Sequence, residues 1–171
     1  MTGGTGAGEA ARFAVDRMLG RLARWLRILG HDVAYGPHLG GRTLLDCARR
    51  EGRLLLTRDT RLVRGHVRGH DLPPHVFLTS DHFREQLRQV ATAVPLGGPG
   101  LLVRCLDCNR LLDEVPRERA RDRVPQFVWE TAERFLSCSG CGRLYWPATH
   151  RAHVLRELAA LGLNRDEASR A

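Results

Sequence analysis

The chain has 171 residues, is 43% apolar, and carries 27 basic against 19 acidic residues for a net charge of +8. That length allows one well-cored domain, or a core of about 100 residues with a small appendage. No apolar run approaches the roughly 20 residues needed to cross a bilayer, which excludes a membrane span.

Every basic residue is arginine, so a P-loop lysine and Schiff-base chemistry are excluded. The charge points to a polyanionic partner such as nucleic acid, although the total lack of lysine also reflects compositional bias. Residues 1–96 hold 15 arginines and 9 acids, and residues 97–171 hold 12 and 10. A polyanion would therefore meet the first segment.

Residues 1–11 have neither the basic nor the apolar region of a signal peptide and read as a disordered lead-in, the protein as cytoplasmic. Residues 12–16 form a short apolar strand ending in Asp16. A helix follows with apolar side chains at 18, 22, 25, 26 and 29, stopped by Gly30 at C′. Residues 31–35 make a second strand. Thr43 is a good N-cap for a helix that carries Leu44, Leu45 and Ala48 on one face and ends at Gly52.

Residues 53–57 are apolar without alternation, the mark of a strand covered on both faces, and they run into Arg58-Asp59. A weaker helix near 60–68 leads to a fourth strand over 75–79, closed by Ser80-Asp81. Phe83, Leu87, Val90, Ala91 and Val94 then pattern another helix. The βαβαβαβα order predicts an α/β domain with a parallel sheet of about four strands between layers of helices.

Gly97-Gly98-Pro99-Gly100 reads as a linker, which divides the chain into a domain over 12–96 and a smaller one over 101–162, with a disordered tail over 163–171. A closing helix near 149–161 would place Val154, Leu155, Leu158 and Leu161 on one side.

In a parallel sheet, the residues that end the strands share one carboxyl edge, where open α/β sheets bind ligands. Here they are Asp16, Asp59 and Asp81, and Asp46 on the second helix could be aimed at the same edge. Crowded carboxylates repel one another until one is protonated or a divalent cation binds. Magnesium or manganese at such oxygen ligands suits phosphodiester hydrolysis. Each aspartate also precedes a helix, so capping explains each one singly. No GxGxxG follows the first strand, which argues against a dinucleotide cofactor.

Cys105-Leu106-Asp107-Cys108 and Cys138-Ser139-Gly140-Cys141 stand 29 residues apart. Two CxxC pairs offer four thiolates for structural zinc, and a saturated site of that kind leaves no open position for catalysis. The interval leaves room for a helical insert over 116–134. Cys47 reads as a small buried hydrophobe.

Taken together, FAVDRMLGRLARWLRILGHD, EGRLLLTRD, RCLDCNRLL, DRVP and CSGCGRLYWPATH resemble the mut-seven C-terminal RNase family over residues 12–158. The resemblance implies a PIN-like three-layer nuclease domain with a C-terminal zinc ribbon, acting on RNA through acids that coordinate a divalent metal. Asp16, Asp59 and Asp81 fall on the matching strand ends. Similar sequences carry an acid just before the leucine pair of the second helix, where this chain has Gly41-Arg42-Thr43. Only Asp46, just after the pair, is available there.

The expectation is a metal-dependent ribonuclease, with Asp16 and Asp59 as principal ligands, Asp81 and Asp46 completing the site, and Arg17, Arg21 and Arg58 contacting phosphate. A catalytically silent RNA-binding or adaptor protein is the alternative. A toxin-like nuclease with an antitoxin-like protein partner is a third reading.

Overall fold

The first strand, β1 (Arg12–Val15), divides its side chains between two layers. Phe13 and Val15 enter one apolar cluster and Ala14 the other, as the two-residue period of a strand requires. The structure is a computed structural model that describes residues 11–67, 72–96, 100–146 and 149–163. The expected lead-in up to residue 10, linker residues 97–99 and tail from residue 164 lie outside the described residues.

Three further strands, β2 (Asp32–Ala34), β3 (Leu54–Thr57) and β4 (His75–Phe77), join β1 in a parallel sheet of order β2-β1-β3-β4. The chain steps outward from β1 to β2 and then back across β1 to β3. Right-handed crossovers then place the two connecting helices on opposite faces. Accordingly, α1 (Gly20–Ile28) packs in the cluster of Phe13 and Val15, and α2 (Arg42–Glu51) in that of Ala14. The small Ala14 leaves room for Leu44, Leu45 and Ala48 of α2 and for Leu62 of α3 (Thr60–Val67). The reversal between β1 and β3 is the switch point at which open α/β sheets bind ligands, outside the carboxyl ends of the strands.

Helix ends follow local chemistry. Gly30 has φ of 88°, and the His31 N–H reaches the Leu26 carbonyl at 3.0 Å, so α1 closes as its sequence predicts. Thr43 is not the cap of α2, which begins at Arg42. Its Oγ1 accepts from the Gly40 N–H (3.2 Å) and donates to the His38 carbonyl (2.8 Å), so it ties down the loop before the helix.

On the face of α1 lie α4 (Phe83–Ala93) and α6 (Thr149–Ala160). Val154, Leu158 and Leu161 enter the core there, while Leu155 is exposed, about 100° round the helix from Val154. Arg84 of α4 holds Glu157 of α6 in a two-pronged pair at 2.8 and 2.9 Å. That pair is screened by solvent, so it fixes direction, and the apolar burial, about 1.5–3 kcal/mol per side chain, holds the helix.

The remaining strands, β5 (Leu112–Val115), β6 (Phe135–Cys138) and β7 (Leu144–Tyr145), form a small antiparallel sheet. The insert between β5 and β6 contains a 3-10 turn (Arg117–Ala120) and α5 (Gln126–Thr131). Among the described residues its buried cluster is Ala120, Ala132 and Phe135, with partly buried neighbours around them.

The parallel sheet meets the first cysteine loop at Asp32, at the amino end of β2. Its Oδ1 accepts from Arg53 Nη1 and from Asn109 Nδ2, both at 2.7 Å, and its Oδ2 accepts from Arg12 Nε at 3.4 Å. Arg53 also bonds Glu51 at 2.7 Å. Burial would raise the Asp32 pKa, but the bonds from Arg53 and Asn109 outweigh it and hold the carboxyl at about 2. A carboxyl depressed in the folded state stabilises fully above its unfolded pKa near 3.9, and that stability is lost as pH falls toward 2. The shift corresponds to about 2 kcal/mol. Denaturant titrations should show Asp32→Asn less stable than wild type by about that amount at pH 7, with the gap closing between pH 4 and 2. An unchanged gap at low pH would contradict this account.

Candidate active edge and cysteine module

At the switch point, β1 ends in Asp16, whose N–H donates to the Leu56 carbonyl of β3 at 3.0 Å. Asp16 precedes a 3-10 turn (Arg17–Leu19) but makes no side-chain cap bond. Its carboxylate is turned inward, 4% exposed, and Oδ2 accepts from the Thr57 hydroxyl at 2.8 Å. Thr57 is fully buried at the end of β3, and its Oγ1 accepts in turn from the Asp59 N–H at 3.0 Å. Asp16 forms no ion pair among the described residues. A buried carboxylate is normally paired with a cation or bound to a metal, because removal from water penalises the charge.

Asp59 caps α3: its Oδ1 accepts from the N–H groups of Arg61 (2.8 Å) and Leu62 (3.1 Å). Asp81 is largely exposed in the loop after β4 and is ion-paired with Arg58, which follows β3. Asp16, Thr57 and Asp59 are thus joined directly, and Asp81 is held beside them through Arg58. Asp46 stands apart from this network. It pairs with Arg49 at 3.6 Å and lines a cleft of about 550 Å³ between α2 and the first cysteine loop, together with His38, Cys47 and Asn109.

Among the expected phosphate contacts, Arg17 passes the Gly40 backbone, Arg21 lies over the Phe83 ring with its guanidinium carbon 4.0 Å from the centroid, and Arg58 is engaged by Asp81.

The four cysteines do converge. Their sulfurs all lie within 4.8 Å of one another, a gathering of three or more metal-ligating side chains that the aspartates do not match among the described residues. Four sulfurs bound to zinc at about 2.3 Å in a tetrahedron would stand about 3.8 Å apart. Cys105 and Cys141 are separated by 3.7 Å, and Cys138 and Cys108 by 3.8 Å. The donor set fits zinc in number, type and spacing.

The two cysteine loops are built alike. The N–H of each first cysteine bonds the carbonyl five residues on, Cys105 to Arg110 at 2.8 Å and Cys138 to Arg143 at 3.0 Å. The residue after each second cysteine has positive φ, 67° at Asn109 and 70° at Gly142. Arg143 of the second loop pairs with Asp107 of the first at 2.5 Å.

Burial opposes ionisation of the Cys105 thiol, but the N–H groups of Cys108 and Asp107 and the Tyr145 hydroxyl, 3.2 Å away, bring it down to about 6. Cys108 is pushed up to about 12, chiefly by the Cys141 sulfur and by burial. One thiolate forms readily and its neighbour resists, which is the repulsion a divalent cation relieves.

Neither Asn109 nor Arg27 stood out in the sequence as a functional residue, yet both dock the first loop onto the parallel sheet. Asn109 Oδ1 accepts from the Val33 N–H at 2.9 Å. Arg27, almost fully buried, donates to the carbonyls of Leu106 (2.8 Å), Asp107 (2.9 Å) and Val33 (2.9 Å).

The family model of the Mut7-C RNAse domain matches residues 11–158, which takes in both sheets and all four cysteines. The chain belongs to the Mut7-C RNAse domain family. No curated protein and no solved structure matches it. Among the described residues no helix is long and apolar enough to cross a membrane. The family's name speaks of a nuclease.

Because Asn109 links the cysteine loop to β2, metal removal should be felt in the parallel sheet. We expect about one zinc per chain, and chelation should unfold the β5–β7 sheet and speed hydrogen exchange at the Val33 amide by at least about tenfold. Val33 exchange unaffected by chelation would refute the coupling.

Proposed function

We propose that this Mut7-C member is a divalent-metal-dependent ribonuclease that hydrolyses RNA phosphodiester bonds at the edge formed by Asp16, Thr57 and Asp59. The observation that carries the reading is Asp16, a buried carboxylate at the switch point with a hydroxyl partner and no ion pair among the described residues. The donors there are all oxygens, which suits magnesium or manganese. Such an ion, when bound, would stabilise charge on the phosphate oxygens of the scissile bond.

The chain's own residues set the geometry. Thr57 fixes the orientation of Asp16 and, through the Asp59 N–H, the spacing between the two strand ends. Asp59 keeps Oδ1 on the first turn of α3, so Oδ2 is the oxygen we assign to metal binding. Arg17 and Arg58 are the phosphate contacts we assign. Arg58 would exchange the exposed Asp81 carboxylate for a phosphate, two of whose oxygens can accept from the same guanidinium fork. Asp81 and Asp46 then act around the edge rather than as principal ligands.

The second reading, an RNA-binding protein without turnover, has one specific observation in its favour. Of the four aspartates, one caps a helix, one is ion-paired with Arg58 and one lines another cleft.

RNA cleavage with magnesium or manganese separates the two. Asp16→Asn keeps the shape and the Thr57 bond and should lower the rate by more than about 100-fold, since loss of residues that merely support a metal ligand already costs 10–100-fold. Cleavage that persists at the wild-type rate would remove Asp16 from the reaction. Salt-sensitive binding with no cleavage by wild type would favour the second reading.

A further inference from the structure

A second cleft, of about 390 Å³, opens beside the acidic edge and is bordered by Met18, Arg21, Asp81, His82 and Arg84. It lies between the turn that follows Asp16 and the loop that carries Asp81, so its contents would sit next to the proposed reaction centre.

The arginines around it differ. Arg84 is engaged by Glu157 on both prongs, and Arg58, which follows β3, by Asp81. Arg21 is exposed and makes no ion pair among the described residues. Instead its guanidinium carbon lies 4.0 Å from the centroid of Phe83. Phe83 is buried and is itself stacked on Trp25, with centroids 5.6 Å apart and 18° between planes. The ring beneath Arg21 is therefore held rigidly by the core. A guanidinium has two faces, and Phe83 takes one. Met18, one turn earlier on the same side, is 55% exposed and borders the same cleft.

We propose that Arg21, backed by Phe83 and flanked by Met18, is a stacking platform for an unpaired nucleobase of single-stranded RNA. This rests on the ribonuclease reading for its choice of ligand. Recognition of unpaired RNA uses bases splayed onto aromatic rings or arginine planes, and a Met side chain adapts to any of the four base shapes. Arg21 then contacts a base rather than a phosphate. A helical strand, with its bases buried in stacking, could not enter, so the protein would favour single strands.

The test is binding, measured by fluorescence anisotropy with calcium in place of magnesium so that strands stay intact. The probes are a labelled RNA pentanucleotide and a base-free phosphodiester oligomer of equal length and charge. Wild type should bind the RNA about tenfold more tightly than the base-free oligomer. Arg21→Lys keeps the charge and loses the plane, so it should lose most of that preference yet bind the base-free oligomer within about twofold of wild type. Arg21 is exposed, and an unchanged near-ultraviolet circular dichroism spectrum will confirm that the variant folds.

The platform is overturned if wild type shows no preference, if it binds neither probe, or if Arg21→Lys retains the preference. Metal-dependent cleavage alongside a retained preference would end the platform and leave the ribonuclease standing. An Arg21-dependent preference in a chain that cleaves nothing would do the reverse.

Discussion

Asp32 ties β1, β2, the start of β3 and the cysteine module together. Arg12 and Arg53 reach it from the amino ends of two strands, and Asn109 reaches it from the first cysteine loop. A half-buried charge with three donors is stabilising only while all of them are in place, because a partner left behind would keep its desolvation penalty. The amino end of the sheet is thus a locked electrostatic cluster. The carboxyl end is its opposite, with Asp16 buried beside a hydroxyl and without an ion pair among the described residues. One end of the same three strands is knotted by ion pairs, and the other carries a buried carboxylate whose partner is a hydroxyl.

The layers were legible in the sequence because they are local. The apolar runs at residues 12–16 and 53–57 and the helical spacing of the segments between them follow from side-chain periodicity and burial, which packing on one or two faces imposes directly. The order β2-β1-β3-β4 is set by long-range pairing and leaves no mark within any one segment. Without that order, three aspartates could be placed on one edge but not ranked. With it, Asp16 and Asp59 flank the switch point, and Asp81 lies one strand further out.

Capping was legible only as a type of residue. All three aspartates precede helices, and Asp59 alone bonds the first turn, because Asp16 is turned into the sheet and Asp81 toward Arg58. Thr57 reads as an ordinary strand residue until β1 is placed beside it. Arg27 reads as the solvated side of an amphipathic helix, and only the docked cysteine loop gives its buried guanidinium carbonyls to bond. Asn109 did leave a trace. Cys-Leu-Asp-Cys-Asn-Arg and Cys-Ser-Gly-Cys-Gly-Arg align position by position, and asparagine and glycine are the residues that most readily accept the left-handed backbone both loops adopt.

The bonds that Asn109 and Arg27 make to Val33 carry one more consequence. Val33 lies on an outer strand of the parallel sheet, whose free N–H and C=O groups would otherwise be a template for another chain. Its amide and its carbonyl are both taken by side chains, one from the cysteine loop and one positioned by it. The module therefore works as an edge guard, beside the four cysteines that could bind zinc. Oxidation or metal starvation would uncover a ready-made pairing surface, and the damage would show first as self-association of folded chains rather than as loss of the parallel sheet.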